Sequence, residues 1–303
     1  MLAIDPALIN AFEQQLDPQN LGASAIKANL IGFGEISSIF TLETCPGVVF
    51  KRMPMFNDVS QANKYLATYH QYCAGLKQAG LRLPEDNCVV VEKSESLTVV
   101  YFAQRQYPQE NIANKLIHTL PMDRLKHLVQ KIMTAIYGVW NFNRQNENHL
   151  QLALDAQLSN WVFNPPTDEL VYLDTSTPLF KLHRVEQLDP ELLLTSAPGF
   201  GRAIIRKFFL QDVMERYYSE RAVNIDLAAN LYKEQRPDLI PLFLEEINCR
   251  TTSDITAKAL ATYYGEDKFI WQLFLTLRKL DRWLHRHVYR KPYQFILPGK
   301  IKR

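Results

Sequence analysis

The reading turns on Leu154-Asp155-Ala156-Gln157-Leu158-Ser159-Asn160-Trp161-Val162-Phe163, followed downstream by Val171-Tyr172-Leu173-Asp174. An Asp and an Asn five residues apart lead into an apolar, β-favouring run. The polar turn Asn164 to Asp168 separates it from a second run, Leu170 to Leu173, which ends on another Asp. The pattern predicts two short strands flanked by Asp155, Asn160 and Asp174. A hairpin with Asp and Asn at its turns is common in any fold, so this segment alone fixes no chemistry.

The first hundred residues read as sheet plus helix. Leu30 to Leu42 and Val48 to Met53 are predicted strands joined by a turn at Cys45-Pro46-Gly47. Gly32-Phe33-Gly34-Glu35-Ile36-Ser37 lies between strand-like runs, and Lys51 alternates with apolar neighbours. Asp58 is the predicted N-cap of a helix towards Gly80, with Val59, Ala62, Leu66, Tyr69, Cys73 and Leu76 at steps of three and four. Cys88 to Glu92 and Leu97 to Phe102 form a further strand pair. Beyond it, Asp123 to Asn143 is a long amphipathic helix. Helical spacing then marks Gly201–Tyr218, Ile225–Glu234, Leu239–Ile247, Ser253–Tyr264 and Asp267–Tyr289. The order predicts an α+β chain with a small antiparallel-sheet unit over 1–105 and a larger helical unit over 106–303.

Phosphoryl transfer asks little covalent work of a protein. It needs backbone N–H groups and a cation on the phosphates, one or two magnesium ligands, and a carboxylate that orients the attacking hydroxyl. The chain offers a candidate for each role in a consistent order. Two glycines near a strand equally mark a turn or bulge, and Lys51 alone equally reads as an exposed strand lysine. Taken together, the glycine loop, the strand lysine, Asp-x₄-Asn and the strand-end Asp resemble the protein kinase-like superfamily, in its aminoglycoside phosphotransferase and choline kinase branch. The resemblance spans about residues 28 to 180. It implies a bilobal kinase-like fold, with ATP bound between the lobes together with Mg²⁺. Asp155 then matches the catalytic base, Asn160 and Asp174 the metal ligands, and Lys51 the phosphate-binding lysine. Gly32, Gly34 and Ser37 belong to the nucleotide-covering loop. Gln104 to Tyr107 fall at the interlobe hinge, with backbone groups facing adenine. By the same analogy Tyr217, Tyr218 and Glu220 line an acceptor pocket.

Three departures bear on activity. Between Val59 and Pro84 there is no Asp or Glu to pair with Lys51, leaving Gln61, Asn63 or the capping Asp58. Ala153 stands where the family has histidine, and Thr175 where a glycine usually follows the metal-binding Asp. The missing glycine favours a small-molecule acceptor over a protein. The expectation is an ATP-dependent phosphotransferase acting on a small-molecule hydroxyl. The alternative is a pseudokinase or nucleotide-sensing module, for which the acid-free helix is the main argument.

Composition is consistent with both readings. The 303 residues are 47% hydrophobic and 22% charged with net charge +2, too apolar for disorder and too balanced for a nucleic-acid signature. The basic stretch from Arg278 to Arg303 reads as a solvated helix face and tail, so nucleic acid is not expected as a partner. Trp271, Phe274 and Trp283 are expected in the core. Cys45, Cys73, Cys88 and Cys249 are scattered, which predicts a reducing, cytoplasmic setting. No apolar run reaches the roughly 20 residues that span a bilayer, so no membrane partner is expected.

Overall fold

In the computed structural model, the strand-like runs of the first hundred residues pair into one antiparallel sheet. Its strands are β1 (Ala28–Phe33), β2 (Ser38–Leu42), β3 (Val48–Phe56), β4 (Asp86–Ser94) and β5 (Leu97–Arg105), in spatial order β1-β2-β3-β5-β4. The structure describes residues 2–33, 37–147, 149–195, 211–251, 254–290 and 293–296. The run read as one strand from Leu30 to Leu42 is two, because Phe33 pairs with Ser38 in antiparallel register. Gly34 lies outside the described residues, as do 201–210 of the helix expected over Gly201–Tyr218 and Lys291, Lys300, Lys302 and Arg303 of the basic tail.

Alternation along the strands gives the sheet two different faces. Phe40, Phe50, Val99 and Tyr101 point to one, where α1 (Pro6–Gln15) covers them with Ile9 and Phe12. Asp5 caps α1 by accepting from Ala7 N at 2.9 Å, with Pro6 in the first turn. Met53, Val100 and Phe102 point to the other face, against α2 (Val59–Gln78). The Asp58 carboxylate accepts from Gln61 N at 2.8 Å and caps α2 as the sequence predicts.

A buried ion pair fixes α1 to the sheet. Arg52 is 1% exposed and Glu13 0%. Arg52 Nε and Nη2 each donate to the Glu13 carboxylate at 2.7 Å, Lys93 Nζ donates at 2.8 Å, and the Tyr101 hydroxyl gives a fourth bond. Burial acts to raise the Glu13 carboxyl, but Arg52, Lys93 and Tyr101 together hold it below its ordinary value. Arg52 Nη1 donates to Gln294 O at 2.7 Å, so the last described segment returns to the sheet.

The rest of the chain comprises α3 (Ala113–Leu116), α4 (Met122–Gln145), β6 (Leu150–Leu152), β7 (Trp161–Asn164), β8 (Glu169–Tyr172), β9 (Phe180–Leu182), β10 (Val185–Glu186), α5 (Pro190–Leu194), α6 (Gln211–Arg216), α7 (Glu220–Lys233), α8 (Ile240–Asn248) and α9 (Ala257–His287). The periodic residues of α4, including Leu125, Leu128, Ile132, Ile136 and Val139, are buried and centre the larger core. The architecture is therefore α+β, a five-stranded antiparallel sheet followed by a largely helical part.

Two helix readings differ from the structure. The helices expected at Ser253–Tyr264 and Asp267–Tyr289 are one, α9, which runs through Gly265. A mid-helix glycine costs only about 1 kcal/mol relative to alanine, which packing against α7 offsets. Trp283, expected in the core, is 52% exposed, whereas Arg278 and Asp281 on the same helix are buried. At 3.6 residues per turn, Trp283 lies about 140° round the helix from Arg278, so burying one exposes the other.

Candidate functional site

Consecutive residues of β3 serve opposite faces of the sheet: Arg52 turns to α1, and Lys51 turns the other way. In register across three strands, Gly32 pairs with Ile39 and Ile39 with Lys51, so the three form one row. Gly32 follows a bulge in β1. Among the described residues, a Cβ added there would meet Ile39 at an ordinary 3.6 Å. Ser37, half-buried, sits just before β2.

Lys51 is 8% exposed. Its Nζ donates to Asp174 Oδ1 at 3.0 Å and to Ser176 Oγ at 3.2 Å, joining the sheet to the end of β8. The β7–β8 hairpin pairs Trp161 with Tyr172, which brings Asn160 and Leu173 side by side. Leu173 N donates to Asn160 O at 2.8 Å. Asn160 Nδ2 donates to Asp155 O at 3.2 Å, which commits the amide nitrogen and leaves Oδ1 as the donor atom for a cation. Asp155 Oδ1 accepts from Gln157 N at 3.1 Å, turning the chain into the short helical turn Leu158–Asn160. Asp155, Asn160 and Asp174, all half-buried, thus gather at one end of the hairpin, with Lys51 contacting Asp174 from the sheet. Burial pushes the phenols of Tyr72 and Tyr172 well above their ordinary value, and both carboxylates add to the shift.

Helix α2 meets this site with tyrosines. Tyr65, Tyr69 and Tyr72, at steps of four and three, share one helix face. Tyr65 donates to Ser176 O at 2.7 Å and Tyr72 to Ala153 O at 2.8 Å. Tyr69 donates to Asp86 and lies 3.4 Å from Thr175 Oγ1. One turn on, Gly75 admits β6: a Cβ there would come within 2.8 Å of Leu152 Cδ2. Sequence reasoning counted Tyr69 as an apolar position and missed the row. The available signal was three buried-spaced phenols, since a buried tyrosine usually bonds its hydroxyl.

Gln104 belongs to β5, which runs on to Arg105 and does not stop at Phe102. Its backbone lies in the ladder opposite Val49 and Asp86. Its side-chain nitrogen donates to Leu173 O at 3.2 Å and Thr175 Oγ1 at 3.1 Å, so it touches the Asp174 segment directly. Of the residues expected by analogy at an acceptor pocket, Tyr217 meets the Asp155 segment through its backbone. Tyr218 donates to Glu186 at 2.7 Å, the Tyr217 carbonyl accepts from Leu154 N at 3.1 Å, and Glu220 pairs with Arg144 at 3.0 Å.

A polar cavity of about 30 Å³ adjoins this loop, between α7 and α9. Asp226, Asn230 and Lys233 line it from α7, Asp267 and Trp271 from α9, and Gln157 closes it towards Asp155. Burial and then the Asp267 charge push the Asp226 carboxyl up to about 6.

Among the described residues, no group of three or more His, Cys, Asp or Glu side chains converges as a metal cage. One carboxylate and one amide oxygen nevertheless suit magnesium, which takes few protein ligands and completes its octahedron with water and phosphate oxygens. Asp174 and Asn160 supply such a donor set. No helix among the described residues is long and apolar enough to cross a membrane.

Set against curated proteins, the chain matches none. Residues 38–282, which take in Lys51, Asp155, Asn160 and Asp174, match a family of unknown function (DUF6206), and the chain belongs to that family.

Proposed function

We propose that the chain is a kinase-like phosphotransferase that uses ATP and Mg²⁺ to phosphorylate a hydroxyl of a small molecule. The observation that carries this reading is the approach of Lys51 Nζ to Asp174 Oδ1 at 3.0 Å, beside a hairpin that holds Asn160 and Asp155 together. A cation beside metal-binding oxygens supplies the two things a triphosphate requires.

In this reading the row Gly32–Ile39–Lys51 faces the nucleotide and Lys51 exchanges Asp174 for phosphate oxygens as ATP enters. Asn160 and Asp174 would hold the cation, which would supply neutralisation of the phosphate charge. Asp155 orients the acceptor hydroxyl. As the acceptor O–P bond forms and the bond to the leaving ADP oxygen breaks, the hydroxyl proton passes to Asp155. Tyr65 and Gln104 position the Asp174 segment through Ser176, Leu173 and Thr175.

The second reading, a nucleotide-sensing module without transfer, rests on the tyrosine row of α2, which fixes loops but leaves Lys51 without a helix carboxylate. One experiment separates the two. Labelled ATP and Mg²⁺ are incubated with the wild type, Asp155→Ala and Asp174→Ala, and both phosphate release and transfer to a panel of hydroxylated small molecules are followed. Phosphotransfer predicts turnover in the wild type that falls by about 10²–10⁴ in Asp155→Ala. Nucleotide binding without turnover, lost in Asp174→Ala, selects the sensor. Neither binding nor turnover sinks both.

A further inference from the structure

Helix α9 has two unlike sides. One packs on α7 and is tied down further along by the buried Arg278 and Asp281, with the Arg278 guanidinium 5.4 Å from the Phe295 ring centroid. The other faces water and carries Phe269, Leu273, Leu280 and Trp283, exposed by 65%, 38%, 44% and 52%. With Thr276 between them, these positions advance by four, three, four and three residues. That is the a/d repeat of a helix-pairing seam, confined to about 80° of the helix circumference. The seam from Glu266 to Arg286 is about 30 Å long. Four large apolar side chains in one continuous line are more than scattered surface hydrophobics.

We propose that this seam pairs with the same seam of a second copy of the chain, antiparallel, across a two-fold axis near Thr276. The charges at its ends select the occupant and its direction. Exposed Glu266 lies one turn before Phe269, and exposed Arg286 lies one turn after Trp283. An antiparallel pair centred on Thr276 sets Glu266 against Arg286 of the second copy and Phe269 against Trp283, each contact occurring twice by symmetry. A parallel pair would oppose Glu266 to Glu266 and Arg286 to Arg286, which like-charge repulsion disfavours. The Trp283 indole is already oriented, stacked on His287 with centroids 5.4 Å apart at 19°. Tryptophan is among the residues that most often carry an interface's binding energy.

The full chain is examined by sedimentation velocity from low to high micromolar concentration. A dimer of twice 35.1 kDa is expected. Leu273→Glu and Leu280→Glu, at water-facing positions, should keep the circular dichroism spectrum and raise the dissociation constant at least about 100-fold. Charge reversal reads direction: Glu266→Arg and Arg286→Glu each weaken the dimer, and combining them restores it. A chain that stays monomeric throughout overturns the proposal. So does a dimer indifferent to Leu273→Glu, or one that the combined reversal fails to restore. Vesicles of phosphatidylcholine with phosphatidylserine form the other arm, because a Trp/Phe/Leu seam beside Lys279 and Arg286 also fits an anionic lipid surface. Binding of the monomer to those vesicles through this seam would replace the second copy with a membrane.

Discussion

Replacing Glu13 by alanine tests how much of the fold depends on one buried carboxylate. Four donors converge on it: two from Arg52, one from Lys93 and one from Tyr101. Arg52 cannot turn to water, being 1% exposed, and keeps its bond to Gln294 O and its contact with Tyr101 but no carboxylate among the described residues. Breaking a buried ion pair from one side costs about 3–5 kcal/mol, because a charge stays buried without compensation. The Tyr101 hydroxyl adds an unsatisfied donor, while Lys93, 18% exposed, can reach solvent. A loss near 4 kcal/mol is therefore expected, a large fraction of a typical domain's 5–15 kcal/mol. In urea, with a slope of about 3 kcal/mol/M, the midpoint should fall by more than about 1 M. Glu13→Met with Arg52→Met removes both charges and should recover at least half of the loss. The sign with pH is fixed too. The folded carboxyl lies below its unfolded value of 4.5, so its contribution is present above that value and disappears as pH falls through the folded one. The penalty of Glu13→Ala should therefore shrink in acid. A single variant within about 1 kcal/mol of the wild type, or a double variant as unstable as the single, would refute the reasoning.

Tyr65→Phe removes the donor to Ser176 O and should cost about 1–3 kcal/mol, with a weaker apparent affinity for Mg-ATP by calorimetry if phosphotransfer is right. Tyr72→Phe strands the Ala153 carbonyl at similar cost and is read by chemical denaturation. Gly75→Ala drives a Cβ to 2.8 Å from Leu152 Cδ2. It should destabilise by about 1–3 kcal/mol despite alanine's better helix propensity, and Leu152→Val should relieve it. The Asp226 carboxyl, pushed up to about 6, favours its protonated form when folded. The wild type should therefore lose stability relative to Asp226→Asn as pH rises from about 4 through 6, visible as diverging thermal midpoints.

The parts of the fold legible in the sequence were those written in local periodicity. The alternating runs, the Asp58 cap and the α4 stripe needed no distant information. The Asp155–Asn160–Asp174 grouping was legible because a hairpin makes its neighbours by short-range pairing. What was not legible depended on residues far apart in sequence. Nothing in the local pattern marks Glu13 and Arg52 as partners, which they become only when α1 crosses the sheet. Gln104 read as a hinge residue because the apolar run ends at Phe102, although the ladder continues through polar Gln104 and Arg105. Of the α2 tyrosines, Tyr69 counted as an apolar position and Tyr65 and Tyr72 went unread, since periodicity registers a phenol's ring and not the direction of its hydroxyl. Trp283 was assigned to the core on size alone, and on a helix longer than its support the charged Arg278 took the inward side.

The bond from Arg52 to Gln294 also orders events during synthesis. The two residues are 242 positions apart, so at about 5–20 residues per second Arg52 waits roughly 12–50 s after its own emergence for its last acceptor. Through that interval the sheet can form and bind α1, but the Arg52 guanidinium lacks one partner at the place where the finished chain seals it. A nascent chain, or one nicked before residue 293, therefore differs from the finished protein at the back of the strand that carries Lys51. Emergence of Gln294 closes that strand from behind.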